Sequence, residues 1–182
     1  MNGDMVSRHY RVGDEQIDNG YIQEIITPLW WTVSIYDGET EMYDALERFT
    51  EPQRYVWAIQ WYISEVENGG HDQFFFNSTG IVWRLALEGL REINCPQYEE
   101  ILTEAVQRMG GSPSFDREER WQEAERHNAE FDDLDDQFYG SDSLLEKALC
   151  DYIQTHREAF YFDGYVDVPE QFAPDEDEFE DE

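Results

Sequence analysis

Apolar residues crowd one stretch of the chain, from Tyr55 to Val66, where Tyr55, Val56, Trp57, Ala58, Ile59, Trp61, Tyr62, Ile63 and Val66 leave no polar face. A helix hydrophobic all round is a buried helix, and this one is too short to cross a bilayer. Thr50 and Gln53 precede it at capping-box spacing. Pro52 is tolerated there, because a first-turn residue has no intrahelical N–H bond to lose. The pattern stops at Asn68-Gly69-Gly70, where a glycine can supply the left-handed residue that ends a helix. It resumes through Phe74-Phe75-Phe76 and breaks again at Asn77-Ser78-Thr79-Gly80. The expectation is a central helix with an elbow, and everything else packed on it.

Weaker helical patterns flank this stretch. Tyr21 to Tyr36 is apolar enough for a helix, and Pro28 should either kink it or, the favoured reading, start its main segment with Thr27 as N-cap. Thr40 to Phe49 turns Met42, Ala45, Leu46 and Phe49 inward. Ile81 to Ile93 repeats at helical spacing, with Gly89 inside it, which implies a close helix–helix contact. Pro96 to Met109 carries Tyr98, Ile101, Leu102, Ala105 and Met109 on one stripe. Asp116 to Phe138 reads as one surface helix, with Trp121, Ala124, Phe131, Leu134 and Phe138 inward and His127 among them. A last helix, capped by Ser141 or Ser143, buries Leu144, Leu145, Ala148, Leu149, Tyr152 and Ile153. No run alternates with period two for long, so the predicted fold is all-α, a single compact multi-helix domain. Its expected bounds are an N-terminal arm to about residue 20, a helical body over 21–168 and an acidic, disordered tail over 169–182.

Charge changes this picture most. The 182 residues hold 43 Asp and Glu against 12 Lys and Arg, a formal net charge of −31. The tail supplies eight of those acids; setting them aside leaves −23 on residues 1–168, so the acidity belongs to the folded body. Such a surface repels nucleic acid and anionic membrane and attracts basic partners. High charge also favours solubility. Cys95 and Cys150 have neither metal-ligand nor redox spacing and fit reduced thiols of a cytosol. The first residues lack the apolar core of a signal peptide, so a cytoplasmic protein is expected.

Motifs for chemistry are scarce. There is no phosphate-cradling glycine loop, no HExxH and no cysteine pair for zinc, and Asp133 to Gly140 does not follow the EF-hand order. No cofactor, metal site or enzyme activity is expected. Glu65, Glu67, His71 and Asp72 gather at the elbow, where the plainer role for His71 and Asp72 is capping the helix after Gly70. Asn68, Gln73 and Asn77 suit satisfaction of elbow backbone groups. The remaining candidate is the outer face of the Asp116 helix. At 100° per residue Glu118, Glu125, Asp132, Asp133 and Asp136 fall opposite the apolar stripe. The rise of 1.5 Å per residue spreads Glu118 to Asp136 over about 27 Å. Carboxylates on that scale resemble the phosphate row of duplex DNA, with about one charge per 1.7 Å of axis.

Glu67-Asn68-Gly69-Gly70-His71-Asp72-Gln73-Phe74-Phe75-Phe76-Asn77-Ser78-Thr79-Gly80, with Leu134-Asp135-Asp136-Gln137-Phe138-Tyr139, is similar to the bacterial DNA mimic protein 19 family. The motif residues are Asn68, Gly69, Gly70, Gln73, Asn77, Ser78 and Gly80, and the likeness runs from about Pro52 to Phe160. His71 stands where the family usually has an aromatic. The resemblance implies an all-helical, dimeric, acidic protein that occupies the DNA-binding surface of a transcription regulator. A basic DNA-binding protein is therefore the expected partner, with no direct contact to nucleic acid or membrane. A non-mimetic interaction or immunity module, binding through apolar patches and the acidic tail, is the alternative.

Overall fold

The structure, a computed structural model, describes residues 5–140 and 142–170, the side chains of 142 and 143 excepted. The tail expected from 169 onward lies, from residue 171, outside them, as do the alternative caps at Ser141 and Ser143. The described chain runs β1 (Met5–Val12), α1 (Asp14–Asn19), α2 (Ile22–Thr32), α3 (Glu39–Leu46), α4 (Glu51–Phe76), α5 (Trp83–Glu92), α6 (Pro96–Arg108), α7 (Arg117–His127), α8 (Asp132–Tyr139), α9 (Asp142–Thr155) and β2 (Phe162–Pro169). The all-α expectation holds for the body, which adds a two-stranded antiparallel ribbon.

α4 is the buried axis. Val56, Trp57, Ala58, Ile59, Tyr62 and Val66 are fully enclosed. Its capping box is formed: the Gln53 N–H donates to Thr50 Oγ1 at 3.4 Å, and the Thr50 N–H donates to Gln53 Oε1 at 2.9 Å. The Thr50 hydroxyl also donates to the Ala159 carbonyl at 2.7 Å, which fixes the start of α4 against the end of the chain. α5 crosses close beside it at Gly89, where a Cβ would stand 2.9 Å from Tyr55 Cβ. The glycine, having no Cβ, thus sets the helix spacing, as its place inside a helical pattern implied. No helix among the described residues is long and apolar enough to cross a membrane.

Three local expectations give way. The first is the loosely held arm. Val6, Arg8, Tyr10 and Val12 turn inward from β1, whose register with β2 runs from Met5↔Pro169 to Val12↔Phe162. Ile17 is fully buried, the Gln154 amide holds its carbonyl at 2.9 Å, and Arg157 joins Asp14 and Asp18. A terminal segment is loose only when nothing ties it down, and the strand it pairs with lies some 150 residues later in the chain. The second is α2, which passes through Pro28 rather than starting there. The Thr27 hydroxyl is no cap but donates back to the Gln23 carbonyl at 2.7 Å. Burial of Ile25, Ile26 and Leu29 on both sides of the proline holds the helix together. The third is the long surface helix, which is two.

α7 is capped by Asp116, whose carboxylate accepts from the Glu119 N–H at 2.9 Å. It stops at Asn128, whose backbone is left-handed (φ 47°), and the chain restarts as α8 after Phe131. Asparagine tolerates that conformation better than most residues. Phe131 stays in the core, as expected, at 1% exposure. His127 instead leaves the apolar stripe for the surface, where it covers Gly110. Leu144 is likewise exposed rather than buried.

Candidate functional site

The elbow is built first, because it decides which carboxylates remain outside. At Gly69 and Gly70 the backbone leaves the helix, with Gly70 at φ 73°. That leaves the His71 N–H unpaired at the start of the second half of α4. The cap comes from a distant residue, neither Asp72 nor His71 as expected. Asp135 Oδ1 on α8 accepts the His71 backbone N–H at 2.9 Å and the His71 Nδ1–H at 2.5 Å. On the other side of the ring, the Tyr62 hydroxyl donates to Nε2 at 2.8 Å. The carboxylate fixes the proton on Nδ1, which leaves Nε2 as the acceptor. His71 is wholly buried among Tyr62, Phe131 and Phe138. Burial lowers its pKa against the raising effect of Asp135. Burial, with Asp135 nearby, likewise pushes the Tyr62 hydroxyl well above its usual value, so it stays a donor.

Four of the motif residues have visible roles, Gln73 and Asn77 through a carboxylate rather than the backbone groups expected. A Cβ at Gly70 would lie 2.2 Å from Asp135 Oδ2, so only glycine lets the cap approach. Gln73 and Asn77 donate to the same Glu65 carboxylate oxygen, at 2.8 and 2.9 Å, bracing the two halves of α4. Gly80 makes room for Arg120, since a Cβ there would meet Arg120 Nε at 2.7 Å. Arg120 is 1% exposed and donates to the carbonyls of Phe75, Asn77, Ser114 and Phe115. Its burial pushes the guanidinium down to about 10. Sequence reasoning missed Arg120; its only signal was an arginine on the inward side of an acidic helix.

The acidic face then sorts itself. Glu118 and Glu125 on α7, and Asp132 and Asp136 on α8, are exposed and form no ion pair with another described residue. Asp133 does not belong with them. Arg108 of α6 clamps both its oxygens, at 2.5 and 2.9 Å, and also takes Glu104. The arginine holds the Asp133 carboxyl below its usual range. The continuous 27 Å row on one helix is likewise replaced by two shorter pairs on either side of the Asn128 break. One contributor to this face went unforeseen. Asp72 is exposed beside Asp132 and Asp135, and partial burial with those two carboxylates raises its pKa. Apart from that face, Glu51 on α4 and Glu88 and Glu92 on α5 gather around Tyr55, whose burial and acidic neighbours push it up to about 12. Among the described residues no three His, Cys, Asp or Glu side chains cluster to hold a metal.

The elbow and its brace fall within the 47–156 segment matched by the family model described as DMP19-like protein. The chain belongs to the DMP19-like family. Comparison with curated proteins and with solved structures gave no match. Within the matched segment, the geometry of elbow, cap and buried arginine is architectural, and the exposed carboxylates stand on its outside.

Proposed function

We propose that this protein is a DNA mimic, whose exposed carboxylates stand in for phosphates and occupy the DNA-binding surface of a basic partner such as a transcription regulator. The observation that carries this is the division of charge around α7 and α8. Glu118, Glu125, Asp132 and Asp136 pair with no described residue and stand on a helical body within a DMP19-like chain of net charge −31. Asp72 joins that face; Asp133 leaves it. Oriented fixed charges raise on-rate and make binding salt-dependent. The protein acts here as a binding partner and not as an enzyme, and the homodimer implied by the family resemblance belongs to the same proposal.

The test is capture of partners at low salt followed by a salt gradient, with duplex DNA as competitor. A DNA-binding protein that elutes early in the gradient and that DNA displaces is the expected result. Salt-insensitive capture that DNA leaves untouched would overturn the proposal. Light scattering across a concentration series reads the dimer.

A further inference from the structure

We infer that the groove between the second half of α4 and α7 is the seat of an amphipathic basic helix of the partner, whose apolar side chains enter it while its lysines or arginines meet the acidic rim. This rests on the DNA-mimic proposal and adds to it a contact that no phosphate row possesses. The groove holds about 610 Å³ and is floored by Phe75, Phe131 and Ala124. Its wall is Phe76 stacked on Trp121, ring centroids 4.3 Å apart and 10° from parallel. Phe76 is 52% exposed, although Phe74 and Phe75 just before it are buried. The stack is held in place: the Trp121 indole N–H donates to the Phe76 carbonyl at 2.7 Å, and the Arg117 guanidinium lies 4.7 Å from the Trp121 ring centre.

Charge selects the occupant. Asp72 and Glu125 line the groove, and Asp132 stands next to Asp72. The bases at hand are engaged within the protein, Arg120 on four carbonyls and Arg117 on Phe76. A negative rim around an apolar floor suits a helix that alternates cations with leucine-like side chains, the helix-in-groove mode of recognition. DNA offers no such side chains, so a mimic that also has this groove distinguishes its protein partner from other basic surfaces.

Two lysine-rich helical peptides of equal charge serve as probes, one with leucine at i, i+4 spacing and one with glutamine in those places. Titration calorimetry at fixed salt should show the leucine peptide binding at least tenfold tighter. Ala124→Phe, which fills the groove, should erase that margin, and so should Phe76→Ala, which removes an exposed wall and spares the core. Equal affinity of the two peptides, or a margin that neither variant reduces, would overturn the groove and leave the mimic standing. Binding of neither peptide would overturn both.

Discussion

Two pairs of neighbouring aspartates on α8 have opposite fates. Asp132 and Asp136 are exposed and pair with no described residue, whereas Asp133 is clamped by Arg108 and Asp135 turns inward to cap the elbow. The same residue type within five positions thus serves partner attraction, surface bracing and core assembly. Charge count alone cannot separate these uses. What separates them is whether a donor from another element reaches the carboxylate. The elbow consumes its polar groups internally, and the outer face leaves its own unspent.

The contrast can be broken most forcefully at Arg120. Arg120→Met should strand the carbonyls of Phe75, Asn77, Ser114 and Phe115 and lower stability by on the order of 3 kcal/mol, since each buried group left unpaired costs about 1–3 kcal/mol. Denaturant unfolding reads the loss. A shift under 1 kcal/mol would show that the buried arginine does not organise the elbow.

Gly70→Ala comes next. It places a Cβ against Asp135 at a positive φ, with an expected loss of about 1–3 kcal/mol from backbone strain. Loss of amide protection at His71 in hydrogen exchange would accompany it.

A smaller effect follows from His71. Its folded pKa is lowered by burial, so below the unfolded value of about 6.5 the unfolded chain binds more protons than the native one. Stability from this group is therefore present above about pH 6.5 and declines as pH falls below it. His71→Phe, the aromatic that the family resemblance leads one to expect there, should flatten the stability difference between pH 7.5 and 5.5. An unchanged slope would place the dependence on other groups.

The outer face should respond least in stability and most in binding. Replacing Glu118, Glu125, Asp132 and Asp136 by their amides should change stability by about 0.5 kcal/mol or less per site. Affinity for a cationic partner should fall and lose part of its salt dependence. Asp133→Asn, by contrast, should weaken the α6–α8 brace and leave partner affinity nearly unchanged.

Much of the architecture followed from local chemistry. The enclosed face of α4, the Thr50–Gln53 box, the close approach at Gly89 and the breaks at Gly69-Gly70 need only nearby residues to be inferred. Between Asp116 and Phe138 the apolar stripe kept its sides, with Phe131, Leu134 and Phe138 buried as expected, but not its continuity, because one left-handed residue, Asn128, ends the first helix. Inward Arg8 and Tyr10 disguised the alternation of β1, so the ribbon was illegible.

The order of residues determined a helical, acidic body wound on one aromatic axis, because burial and capping are decided within a few residues of each group. Only tertiary structure decided which acids are free. Asp135 faces inward because an unpaired N–H waits at His71, and Asp133 is held because Arg108 reaches it from another helix. Such long-range donors leave no mark in local spacing.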